Sequence, residues 1–182
     1  MNATIKERKF SLRSEYDITS PTAVYFAQKA ILSLLASLEI RTQNDRVVAT
    51  IHGNFSISHA SYDFALADGR NFHYQCEKVW KGVYSCQGPS GNYHLFQHKG
   101  VRYSIFKDDT QIAAITRNKL VLGTGHEYDI QMNADADLII LSCMILALNT
   151  ESSSDDGQNS VTYEFGNIGP EDRKFDESWQ PT

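Results

Sequence analysis

Three groups of side chains in this sequence have types and spacings that could do chemistry. His94 and His98 in HLFQH stand four apart, a spacing that on a helix aims two imidazoles at one metal. The stretch reads as a strand, however, where the two side chains would sit about 13 Å apart at ~3.3 Å per residue. They are therefore expected to be surface or core histidines, and His52, His59, His73 and His126 form no local motif. Asp135 and Asp137, with Glu127 and Asp129 nearby, offer the oxygen ligands that calcium takes, without the Gly-punctuated loop and closing Glu of an EF-hand. Helix capping is the plainer use of those aspartates. Lys6, Arg8, Lys9 and Arg13 are the densest basic stretch. On one exposed patch they would bind an anionic lipid headgroup, each cation contributing about 1 kcal/mol near a charged membrane. Along a strand, Lys6 and Arg8 point opposite to Glu7 and Lys9, which divides the charge between two faces.

The remaining chemistry is sparse. No nucleophile elbow, P-loop, dinucleotide fingerprint or HExxH occurs, and the glycines fall at turns. The expectation is a non-enzymatic binding module with no cofactor and no metal. Cys76, Cys86 and Cys143 are an odd number without zinc-ribbon or redox spacing, which suits buried, inert thiols in a reducing compartment. The first residues, MNATIKERKF, lack the apolar run of a secretory signal, so a cytoplasmic location is expected. Net charge is −5. Residues 1–150 carry 15 Lys/Arg against 14 Asp/Glu, while residues 151–182 carry 2 against 8. A nearly neutral body argues against nucleic acid, whose affinity comes largely from neutralised phosphates.

The elements that must position these groups are mostly strands. Tyr62, Phe64 and Leu66 share one face, Asp68-Gly69 makes a tight turn, and Phe72, Tyr74 and Cys76 share a face of the returning strand. Val101, Tyr103 and Ile105 lead to a turn at Asp108-Asp109, and Ile112 to Ile115 return. LEIRTQNDRVVATI (38–51) and YSIFKDDTQIAAI (103–115) form a faint repeat of strand, polar Asp turn and Φ-Ala-x-Ile, the second turn one residue shorter. Hairpins recurring over most of a chain suggest a barrel or sandwich, because closure or stacking removes exposed edges. Residues 21–38 are ambiguous: Ser20-Pro21 suits a helix start, and Ala30, Ile31, Leu34, Leu35 and Leu38 approximate a helical stripe, yet Val24, Phe26 and Gln28 equally begin a strand.

The sharpest signal is NADADLIILSCMILALN. Asn133 reads as a cap, Asp135 and Asp137 occupy a first turn where carboxylates favour the helix dipole, and Asn149 ends the apolar run. Between Leu138 and Leu148 the only polar side chain is Ser142, whose hydroxyl is expected to return to the carbonyl four residues back. A helix apolar on every face must be enclosed. Eleven residues rise only about 16 Å against a hydrocarbon core of about 30 Å, so protein rather than bilayer must enclose it.

Several segments in order, TIKERKFSLRSEYDI, VYFAQKAILSLLASLEI, RVVATI, YSIFKDDTQIAAI and HEYDIQMNADADLIILSCMILALN, resemble the tubby C-terminal-like fold in its LURP-one-related branch, distantly similar to phospholipid scramblases. The resemblance implies a mainly β architecture, a closed antiparallel barrel of about a dozen strands around the apolar helix, with strand, turn, strand over 21–38. It implies possible partners as well, since tubby proteins bind phosphoinositides. The basic phosphoinositide-binding segment of tubby has no counterpart here, and the scramblases carry a longer acidic stretch and a longer apolar helix. The expected organisation is a barrel over 1–150, with its central helix at about 135–148, and an acidic, partly flexible tail over 151–182. The ending FDESWQPT, with Phe175 and Trp179 among acids, is expected either to fold back or to present a short peptide. The expected protein is a monomer that does not span a membrane and docks to a protein or to an anionic lipid headgroup. The alternative is a small-ligand carrier or enzyme with a site at the barrel mouth, which requires a cavity of ~300 Å³ or more.

Overall fold

A computed structural model describes residues 1–8, 15–29, 37–55, 60–118, 126–153 and 169–182. Twelve antiparallel strands close into a barrel, each paired with its neighbours in sequence: β1 (Asn2–Arg8), β2 (Glu15–Thr19), β3 (Val24–Lys29), β4 (Ser37–Thr42), β5 (Val47–Phe55), β6 (Ala60–Leu66), β7 (Asn71–Lys78), β8 (Val83–Gly88), β9 (Gly91–His98), β10 (Arg102–Lys107), β11 (Thr110–Asn118) and β12 (Glu127–Met132). β1 closes the ring by pairing with β12 from Asn2↔Gln131 to Lys6↔Glu127. Residues 21–38 hold two strands joined by residues outside the described set. Ser20 caps a turn rather than a helix, its hydroxyl accepting the Ala23 N–H at 3.0 Å.

Strand periodicity sets the inner face. Tyr62, Phe64, Leu66, Phe72, Tyr74 and Cys76 are all buried, and the pairs Tyr62↔Tyr74 and Phe64↔Phe72 lie directly opposite. Tyr74 stacks on Tyr84 at 5.6 Å. On β7 the alternate residues Asn71, His73, Gln75 and Glu77 are exposed, so this wall is apolar inside and polar outside, the reverse of a membrane barrel. The repeated hairpins β4–β5 and β10–β11 lie six strands apart in the ring of twelve, on opposite sides. Both break register at equivalent points, between Ile40 and Arg41 and between Ile105 and Phe106. The Asp turns reach left-handed backbone at Asp45, Asp108 and Asp109, which aspartate tolerates better than most residues.

Helix α1 (Leu138–Ser153) fills the barrel. From Ile140 to Asn149 every side chain is buried and belongs, apart from Ser142 and Asn149, to the same apolar cluster as the inner strand faces. Both ends are fastened to the wall. Asp137 Oδ1 accepts the N–H groups of Ile139 and Ile140 at 3.0 and 3.4 Å, and Asp137 Oδ2 accepts from Arg70 of the β6–β7 turn at 2.8 Å. At the far end Asn149 donates to Tyr16 Oη at 2.6 Å and accepts from Tyr128 Oη at 3.2 Å.

The helix therefore starts three residues later than the sequence reading placed it. Asp137, not Asn133, is the cap, because Asn133 instead accepts the Thr182 N–H at 3.0 Å. The helix also continues past Asn149, whose amide, between two tyrosine hydroxyls, serves as a buried tether rather than a stop. The Ser142 hydroxyl finds no hydrogen-bond partner among the described residues. No helix among the described residues is long and apolar enough to cross a membrane.

Candidate functional site

The β7–β8 connection is built to project. After Lys78 the chain makes one 3-10 turn, Val79–Lys81, and leaves it through Gly82 in left-handed backbone, φ 57°. A Cβ on Gly82 would come within 2.6 Å of Gln97 Cβ, so only glycine lets the turn sit this close to β9. The result lifts Val79 and Trp80 off the wall at 44% and 87% exposure, the two exposed large apolar side chains among the described residues. Lys78 and Lys81 flank them.

Both lysines reach one carboxylate. Asp172, 94 and 91 residues away in sequence, accepts from Lys78 Nζ and Lys81 Nζ at 2.5 Å each, and these two ammonium groups pull its pKa down to about 2. Asp172 belongs to a strap of irregular chain, residues 171–182, that crosses the outside of β9 and β10. Glu171 accepts the Lys99 N–H at 2.9 Å. Phe175 meets the His98 ring edge-on at 5.2 Å and lies 4.5 Å beneath the Arg102 guanidinium, which also pairs with Glu177. Arg173 stacks over Phe106 at 4.0 Å. The strap ends beside the start of α1, where Ala134 N–H donates to the Thr182 oxygen at 2.9 Å. Of the two arrangements expected for FDESWQPT, the chain folds back.

The platform under the strap is unusual for an outer wall. His98, Ser104 and Phe106 point away from the lumen, yet all are buried. His98 Nε2 pairs with Ser104 Oγ at 2.7 Å, and its Nδ1 lies 3.7 Å from the Glu171 carboxylate. Burial and the Arg102 charge push the imidazole pKa below its ordinary value against the pull of Glu171. Sequence reasoning took His98 with His94 and missed its neighbours on the tail. An outward-facing Phe-x-His row on β9 was the available signal.

The other expected sites disperse. Lys6 and Arg8 do point outward, where Lys6 faces Glu127 at 4.0 Å and Arg8 pairs with Asp17 at 2.5 Å. Lys9 and Arg13 lie outside the described residues. Asp129 accepts from Asn118, Glu127 faces Lys6, and Asp137 caps α1. No cluster of three metal-ligating side chains occurs among the described residues. An open cleft of about 260 Å³ is lined by Arg8, Tyr16, Phe26 and Arg41 and reaches Asp45 of the β4–β5 turn. Its arginines are held by Asp17, Glu39 and Asp45. The three cysteines are buried thiols outside any disulfide, and burial pushes the Cys86 thiol up to about 12.

No family model, curated protein or solved structure matches this chain.

Proposed function

We propose that this protein is a non-enzymatic, monomeric docking module of the cytoplasm that attaches peripherally to anionic membrane surfaces through the Lys78–Lys81 tip. The observation that carries the reading is Trp80, 87% exposed on a projecting turn between two lysines. A protein interface of standard size needs roughly 800 Å² per partner with an apolar centre. Among the described residues the exposed large apolar side chains are one valine and one tryptophan on a projecting turn. That shape suits a deformable interface, where tryptophan sits at headgroup level and lysines meet phosphates. An interior filled by α1 leaves function to the outer surface. The resemblance of its segments to LURP-one-related proteins is the ground for placing it in the tubby C-terminal-like group, and the exposure of Trp80 is the ground for placing the lipid-facing residues at the tip rather than at Lys6, Arg8, Lys9 and Arg13.

The test is co-sedimentation with phosphatidylserine and phosphatidylcholine vesicles across salt concentrations. The full chain partitions onto the anionic vesicles and is released by salt. Lys78→Glu weakens partitioning at least about fivefold, from the ~1 kcal/mol of one lysine near such a surface, and Trp80→Ala weakens it further. Equal partitioning of wild type and Trp80→Ala would refute the reading. Retention of Trp80-dependent binding by a protein from the host, with none to vesicles, would replace the lipid by a protein partner.

A further inference from the structure

We infer that the outer platform of β9 and β10, continued to the tip by Lys78 and Lys81, is an acidic-peptide docking site whose built-in occupant is the chain's own segment Glu171–Glu177. It shares two lysines with the membrane reading above but stands on different contacts.

Each chemically distinctive residue of the segment meets a complement. Asp172 bridges Lys78 and Lys81, Glu171 takes the free backbone N–H of Lys99, Phe175 fills the step between His98 and Arg102, and Glu177 closes on Arg102. The order acid, acid, two residues, aromatic, one residue, acid is thus read along about one peptide length of wall. Lys99 is aimed by the β9–β10 turn, where Gly100 and Val101 both take left-handed backbone, φ 73° and 56°. A β-branched residue holds that conformation only where its surroundings impose it, and Val101 is buried while its carbonyl accepts the Arg117 N–H at 3.0 Å. The acceptor side is therefore built and rigid. The strap, by contrast, forms no strand with the wall; its charge pairs are individually weak, and beside them it makes the ring contacts of Phe175 and Arg173 with the platform and the Thr182 hydrogen bonds at the start of α1. An occupant attached this way exchanges, so an acidic peptide of the same pattern from another protein competes for the platform and, by displacing Asp172, takes over the tip lysines.

The experiment titrates a fluorescein-labelled peptide of residues 169–182 into the full chain and reads anisotropy. In the wild type the tethered segment outcompetes the peptide. Asp172→Lys with Phe175→Ala frees the platform and raises peptide affinity at least tenfold. Raising salt from 50 to 500 mM lowers that affinity, and adding Lys78→Glu and Lys81→Glu abolishes it. Should the double variant fail to unfold cooperatively in urea, Asp172→Lys alone, a change at a surface ion pair, carries the same comparison. Peptide affinity no higher in the opened variant than in wild type, or indifferent to the lysine reversals, overturns the inference. The same proteins sedimented with phosphatidylserine vesicles report on the membrane reading separately. Peptide binding without vesicle binding removes that reading and keeps this one, and vesicle binding without peptide binding does the reverse.

Discussion

Truncating Leu141 to alanine tests whether α1 is the filling of the barrel. Leu141 is fully buried, one residue inside the start of the enclosed stretch. The change removes three carbons, worth about 2.4 kcal/mol at ~0.8 kcal/mol per methylene. A closed wall of twelve paired strands cannot collapse far onto the gap. A residual cavity of about 50 Å³ at ~24 cal/mol per Å³ then adds about 1.2 kcal/mol. The expected loss is about 3.5 kcal/mol, equivalent to a melting point lower by roughly 7–14 °C for a chain of this size. Equilibrium urea unfolding followed by circular dichroism measures it, and a typical stability of ~5–15 kcal/mol leaves about 1.5–11.5 kcal/mol, so the variant still folds. Leu138→Ala is the internal control, since Leu138 is only partly buried at the helix start and costs less than about 1.5 kcal/mol. A Leu141→Ala loss under 1 kcal/mol, or one equal to that of Leu138→Ala, would refute an enclosed helix.

Ser142→Ala should stabilise the protein by about 1 kcal/mol in the same assay, because the buried hydroxyl has no hydrogen-bond partner among the described residues and its desolvation is uncompensated; a loss instead would reveal a partner for it. Asp137→Ala removes the α1 cap and the Arg70 pair and should cost about 1–2 kcal/mol, while Asp137→Asn, which keeps a capping oxygen, costs less. Stability should also fall as pH drops below about 6.5. His98, facing Glu171, Arg102 and Arg173, has a folded pKa below its unfolded value near 6.5, so the unfolded chain binds the extra proton and gains as acid is added. Melting temperatures at pH 7.5 and 5.5 should therefore diverge more in wild type than in His98→Gln, and equal slopes would remove His98 as the cause.

Much of the architecture was legible because it is written in local periodicity. Alternation alone orients Tyr62, Phe64 and Leu66 inward, the Asp68-Gly69 pair turns the chain, and a run from Leu138 to Leu148 that is apolar but for Ser142 admits no surface, so it has to be wrapped. The helix boundary was less legible. Asn133, Asp135 and Asp137 are all competent caps by type, and only contacts with distant residues tell two of them apart: Asn133 is engaged by Thr182, and Asp137 by Arg70 of a distant hairpin.

The candidate site was hardly legible at all. Nothing in the spacing of Lys78, Lys81 and Asp172 hints that one carboxylate sits between both lysines, and a histidine, a serine and a phenylalanine on the outer side of strands look like ordinary exposed residues until the strap covers them. Periodicity states which face of a strand a side chain occupies; only the closed barrel and the returning C-terminal segment determine what lies against that face, because such contacts join residues whose separation along the chain carries no repeat to read.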